Sequence, residues 1–133
     1  MSKIKKPQDK VTGKIAPREV PGGSFQDEPP KFSLQHIQDD YCITKCEPND
    51  QLQFIQSMIK RKNISWKELS ALPHEKLGCE IIRHLKVQIP KCAEDKSIIA
   101  FRFSGRKPMI GFRERDVFYI LWFDRDFSVY THG

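Results

Sequence analysis

The sequence is short of cysteine, of long apolar runs and of the glycine-rich or histidine-rich signatures of well-marked enzymes, and each shortage removes a class of protein. Cys42, Cys46, Cys79 and Cys92 are the four thiols among 133 residues. Without a secretory leader, such a set is expected to stay as free thiols rather than form a disulfide framework. Cys42-x-x-x-Cys46 could supply half of a tetrahedral zinc site. Cys79 and Cys92, however, have twelve residues between them and form no second close pair, so no metal site is expected. Cys42 and Cys79 lie near apolar residues and are expected to pack as small hydrophobes. No stretch of about eighteen uncharged apolar residues occurs, so a membrane-spanning helix and a membrane partner are not expected. The start, Met1 to Pro7, is charged with no apolar stretch behind it, which predicts a cytoplasmic protein. Neither a phosphate-cradling loop, a dinucleotide fingerprint, a metalloprotease helix nor a hydrolase elbow is present, so no cofactor is expected.

What is present is a charged but foldable chain. Hydrophobic residues make up 38% and charged residues 30%, with nine Phe, two Trp and a net charge of +6. That is enough apolar material for one core and a length that suits one domain. The basic excess is uneven. Up to Lys31, seven basic residues face four acidic ones, which places +3 of the +6 among Pro7, Pro17, Pro21, Gly22, Gly23, Pro29 and Pro30. Residues 1–31 therefore read as a flexible basic tail and residues 32–133 as the folded domain.

The first half of the domain has helical period. Asn49 and Asp50 are candidate caps for a helix in which Leu52, Ile55, Met58 and Ile59 form one apolar stripe, ending at Lys60-Arg61-Lys62-Asn63. Ser65-Trp66-Lys67-Glu68 is a capping box that opens a second helix running to about Ala71. Glu75 to Lys86, with Leu77, Ile81, Ile82 and Leu85 on one side, predicts a third helix containing one glycine. The second half has period two. Ile99, Phe101 and Phe103 alternate with Ala100, Arg102 and Ser104, and Gly105-Arg106-Lys107-Pro108 reads as a turn before Ile110 and Phe112. Val117 to Phe123 is apolar without alternation, as a strand covered on both faces should be. Phe127 to Tyr130 is expected to be a last short strand. The class is α+β, with helices packed on one face of an antiparallel meander.

If Phe101, Phe103, Ile110 and Phe112 face the helices, period-two geometry sends Arg102 and Arg113 together to the opposite face. Two readings then stand side by side. The pair could clamp a phosphate through forked, permanently charged donors, or each could be a solvated strand residue paired with Glu114 or Asp124. Tyr130 and His132 close the chain. His132 could transfer a proton, or it could be part of a frayed terminus. His36 and His74 have no sequence companions, and His84 fits the polar side of a helix.

Phe101-Arg-Phe-Ser104, Gly111-Phe-Arg113, Val117-Phe-Tyr-Ile-Leu-Trp-Phe-Asp124 and Tyr130-x-His132, following two or three helices, resemble the toxins of the RelE and ParE superfamily. The likeness is greatest to its small prophage and genomic-island branch, where Ser65-Trp66-x-x-Leu69 precedes Gly78-x-Glu80-x-Ile82. It implies a RelE-like fold and the toxin of a toxin–antitoxin pair, with a cognate antitoxin protein as partner. It further implies metal-independent endoribonuclease action on mRNA, in or out of the ribosome. Arg102, Arg113, Tyr130 and His132 would be catalytic, with Lys60, Arg61, Lys62, Arg106 and Lys107 gripping the RNA backbone. The alternatives within this likeness are gyrase inhibition, as on the ParE side, and RNA binding without catalysis. The proline-rich basic tail departs from the superfamily pattern. So does the lack of a lysine-rich catalytic helix, for which Lys60 to Lys62 are the nearest substitute.

Overall fold

The computed structural model describes residues 25–131, so the tail up to Ser24 and the candidate His132 lie outside the described residues. Among the described residues the architecture is mixed α and β: two α-helices and a five-stranded mixed sheet in the order β1-β5-β4-β3-β2. The strands are β1 (Lys31–Ser33), β2 (Glu80–Ile82), β3 (Ile98–Ser104), β4 (Lys107–Glu114) and β5 (Val117–Phe123); the helices are α1 (Pro48–Lys60) and α2 (Trp66–Ala71). The antiparallel meander β3-β4-β5 is the part expected from period two. β1 adds in parallel to β5, with Phe32 opposite Phe118. Ahead of it, the backbone carbonyls of Gln26 and Glu28 accept hydrogen bonds from the amides of Lys67 and Trp66. The chain therefore joins the fold from within the stretch expected to be tail.

Each sheet face carries its own core. On the helix side, Phe54, Trp66, Leu69, Phe101, Phe103, Phe118, Ile120 and Phe123 pack with Cys46 and Met109. Their rings meet mostly edge to face, as at Phe101–Phe118 with centroids 5.0 Å apart, the arrangement favoured by the aromatic quadrupole. On the other side, Ile98, Ala100, Ile110, Phe112, Leu121 and Trp122 are covered by Ala93, Val129 and Tyr130 from irregular segments. β5 is thus buried on both faces, as its unbroken apolar run predicts. The four cysteines are unpaired; Cys46 is the buried one, while Cys42 and Cys79 are half-buried.

Four expectations are corrected. The predicted third helix is absent. Gly78 ends a turn in which its amide donates to the Pro73 carbonyl at 3.1 Å, and a Cβ at this position would sit 2.0 Å from the Leu72 carbonyl oxygen. Residues 80–82 then extend to pair with Ile98–Ala100. The predicted last strand is also absent. The buried Asp124 carboxylate accepts from the Ser128 and Val129 amides at 2.7 and 3.1 Å, curling the chain so that only Tyr130 makes a bridge, to Leu85.

The third correction concerns α1. It is capped by Glu47 with Pro48 in the first turn, not by Asn49 or Asp50. It docks through Asp50, Phe54, Ser57 and Arg61, while Leu52, Ile55 and Ile59 are 51%, 50% and 54% exposed. The docked polar groups all have partners: Asp50 accepts from Ser104 Oγ and Lys107 Nζ at 2.7 Å each, and Ser57 Oγ donates to the Phe54 carbonyl. Of the predicted stripe, Met58 packs against the core, while the other three lie outward because Phe54 and the hydrogen-bonded Asp50, Ser57 and Arg61 dock a neighbouring side of the helix.

The fourth correction is the register of the β3-β4 hairpin. Ser104 faces Lys107 across the Gly105-Arg106 turn, and unbroken pairing would set Phe101 opposite Ile110. A bulge between Arg102 and Ser104 inserts one residue, so Arg102 faces Pro108 and Phe101 faces Met109. A one-residue slip sends every side chain of β4 to the other face relative to β3. Ile110 and Phe112 therefore pack away from the helices, and Arg113 packs toward them. A second bulge, between Ile110 and Gly111, leaves Leu121 as the extra residue of β5. Gly111 is required there, since a Cβ would lie 1.9 Å from the Tyr119 carbonyl oxygen.

Candidate active site

The slip separates the two arginines expected to act together. Arg113 lies against the helix-side core with its guanidinium 4.4 Å from the Trp66 ring centroid. Its Nε donates to the Arg115 carbonyl and its other donor to Gln26 Oε1, both at 2.6 Å. Burial lowers its pKa from the usual arginine value. It is tied into the structure and does not share a surface with Arg102.

Arg102 stays on the far face, where it joins groups that the sequence keeps far apart. A cleft of about 690 Å³ is lined by His74, Glu80, Arg102, Arg106, Phe127 and Tyr130, among others. His74 stands on the Pro73–Gly78 turn after α2. Glu80 begins β2 and is paired with Ala100, two residues before Arg102 on β3. Arg106 is exposed in the β3-β4 turn. Tyr130 is fixed by backbone pairing on either side of it: the Lys86 amide donates to the Val129 carbonyl and the Thr131 amide to the His84 carbonyl.

The distances make this a connected set. An Arg102 guanidinium nitrogen lies 3.3 Å from His74 Nε2, and Glu80 Oε1 lies 3.6 Å from the same nitrogen. The Tyr130 hydroxyl donates to Glu80 Oε1 at 3.3 Å. A guanidinium can only donate, so the Arg102 contact is made in the tautomer whose Nε2 carries a lone pair. A protonated Nε2 would instead be drawn to Glu80. Burial and the neighbouring Glu80 push the Tyr130 phenol well above its ordinary range. Tyr130 thus remains a hydrogen-bond donor at neutral pH and is poorly suited to give up its proton.

The basic residues expected to hold RNA are dispersed. Arg61 is 1% exposed, with its three hydrogen bonds going to the carbonyls of Ser57, Leu77 and Arg102 and its guanidinium 4.8 Å from the Phe101 ring centroid. Burial lowers its pKa to about 10. It is a core strut, because its buried guanidinium satisfies three backbone oxygens at once. Lys107 is engaged with Asp50 at 2.7 Å. Lys60 and Lys62 are exposed but do not line the cleft. Of the expected grip, Arg106 alone reaches it.

Of the residues lining this cleft, the sequence reading named Arg102, Tyr130 and Arg106 as site candidates and did not name His74 or Glu80. Glu80 stood within a predicted helix, where pairing with β3 was out of view. His74 had no neighbour in sequence to mark it. Among the described residues no group of three or more His, Cys, Asp or Glu could hold a metal ion, and no helix is long and apolar enough to cross a membrane. Comparison with family models, with curated proteins and with solved structures finds no match for this chain.

Proposed function

We propose that the chain is an endoribonuclease of RelE-like fold that cleaves mRNA without a metal, acting as the toxin of a toxin–antitoxin pair in the cytoplasm. One observation carries the chemical part of this reading: His74 Nε2 lies 3.3 Å from the Arg102 guanidinium and 3.6 Å from the Glu80 carboxylate in one open cleft. The order of helices followed by the β3-β4-β5 meander supports the fold reading.

In this chemistry the RNA 2′-oxygen bonds to the adjacent phosphorus and the bond from phosphorus to the 5′-oxygen breaks. A 2′,3′-cyclic phosphate and a 5′-hydroxyl result. As the substrate binds, Arg102 turns from His74 Nε2 to the phosphate, and the lone pair this frees takes the 2′-hydroxyl proton, with Glu80 stabilising the imidazolium that forms. Arg102 and Arg106 offset the charge that gathers on the five-coordinate phosphorus. Tyr130 keeps Glu80 aimed at His74. Water at the open mouth supplies the proton that the departing 5′-oxygen needs.

The test is cleavage of a purified mRNA by the purified full chain, with 5′-hydroxyl ends mapped. His74→Gln should slow cleavage by about 10²-fold or more, and Arg102→Ala should abolish it, both with an unchanged circular dichroism spectrum. Arg102→Lys should rescue only in part, because a point charge replaces a planar fork. Intact RNA with the wild-type chain, or full cleavage by both variants, rejects the proposal.

A further inference from the structure

The other side of β2 carries a second cleft, and its chemistry differs from that of the first. Side chains along β2 alternate, so Glu80 enters the cleft already described while Cys79 and Ile81 point to the helix side. There a depression of about 730 Å³ is lined by Ile81, Arg83, Lys96, Ile99 and Arg113, together with Trp66. Three cations face one carboxylate in the lining, Asp95. Arg113 is held in position by Trp66, Gln26 and the Arg115 carbonyl. Arg83 is exposed, and Lys96 makes a loose 3.8 Å pair with Glu114. Both can exchange water or a weak partner for a phosphate at little cost. Ile81 and Ile99 are direct partners across the β2-β3 ladder, so their side chains form an apolar floor, with Ile81 more than half exposed.

Cations beside an apolar floor suit a nucleotide unit: the phosphate on the charges, the base in apolar contact with the isoleucines. β2 is an edge strand of three residues, and its neighbours Glu80 and Ile81 line the first and the second cleft respectively. We propose that the second cleft binds a flanking nucleotide of the strand whose scissile phosphate lies in the first. The substrate class is then single-stranded RNA folded over the edge of β2. This inference rests on the nuclease reading above. A duplex cannot follow that path, since its paired and stacked bases are unavailable to the floor and it resists bending within a few base pairs.

The test is fluorescence anisotropy with the full chain and a labelled single-stranded RNA of roughly twelve nucleotides, 2′-O-methylated so that it cannot be cut, alone and annealed to its complement. The double variant Arg83→Glu, Lys96→Glu should bind the single strand at least about tenfold more weakly, and removing two phosphate contacts should reduce the slope of log K against log salt by about 1.4. Charge reversal of the exposed Lys45 together with the exposed Lys91, which changes net charge by the same amount, serves as the Lys45 control. If the double variant loses its circular dichroism spectrum, Arg83→Gln with Lys96→Gln replaces it, with a loss of at least about threefold expected. Affinity equal to that of the Lys45 control, or a duplex bound as tightly as the single strand, overturns the inference. Cleavage of the unmethylated strand judges the nuclease reading separately. RNA bound through Arg83 and Lys96 but never cut removes the catalysis and keeps the cleft; RNA cut with no dependence on these residues does the reverse. Failure of any RNA to bind removes both.

Discussion

The two faces of the sheet are built from similar strands yet closed in different ways. On the helix face, α1 and α2 bring Phe54, Trp66 and Leu69 onto Phe101, Phe103, Phe118 and Phe123, and the rings leave little room for polar groups. Those that enter, Asp50, Ser57 and Arg61, are each hydrogen-bonded. On the far face the cover comes from irregular segments around Ala93, Val129 and Tyr130. Beyond them the far face is left half-exposed at Arg102, and the cleft forms there. Helices bury a broad, continuous surface, whereas a loop must satisfy its own backbone and covers less. The consequence is a division of labour: stability should reside mainly on the helix side and chemistry on the other.

Substitutions on the two faces can break that division. The largest expected effect is that of Phe118→Ala, which removes a fully buried ring touching Phe32 and Phe101. It should cost about 3–5 kcal/mol in denaturant unfolding. Arg102→Ala, on a half-buried residue, should change stability far less while removing activity. If the two variants were equally destabilised, the faces would not be divided as described. Trp66→Ala should resemble Phe118→Ala: the ring is buried, packs on Phe101 and donates its Nε1 proton to the Asp116 carbonyl.

A smaller effect sharpens the helix-side account through pH. The hydrogen bond from Lys107, joined by the one from Ser104, holds the Asp50 carboxyl below the ordinary aspartate value. A carboxyl whose pKa is lower in the folded state stabilises the fold above its unfolded pKa, and this contribution disappears as pH falls through the folded value. Asp50→Asn should therefore lose about 1–3 kcal/mol at pH 7. Its stability should also decline less than the wild type's below about pH 4. Parallel stability curves for the two proteins across that range would reject the assignment. The smallest effect concerns the outer side of α1. Leu52→Gln or Ile55→Gln should shift stability by no more than about 0.5 kcal/mol, whereas a loss of 2 kcal/mol or more would mean that this stripe is packed after all.

The local signals were legible where chemistry is local. The capping box at Ser65 and Glu68 forms as expected, with both reciprocal hydrogen bonds. The alternation in β3 and the continuous apolar run of β5 identified strands, and Trp122 and Phe118 are buried as that run predicts. The stretch from Glu75 to Lys86 was misread because Leu77, Ile81 and Ile82 suit a helix by spacing alone. What opposed the helix was the close approach of Gly78 to Leu72 and the availability of β3 as a partner. Neither is visible in a linear pattern.

The mixed α and β class, the phenylalanine-rich meander and the places where that meander turns can be read from the residues alone. Period two, turn chemistry and capping act between near neighbours, so they can be read directly. Which polar groups meet is set by long-range packing instead. A single extra residue at the β3-β4 bulge moved Arg113 away from Arg102. The strand pairing of β2 brought Glu80, and with it His74, to Arg102 in its place. Register is fixed by the sum of packing and hydrogen bonding over a whole sheet, and a one-residue change in it reverses every side chain that follows.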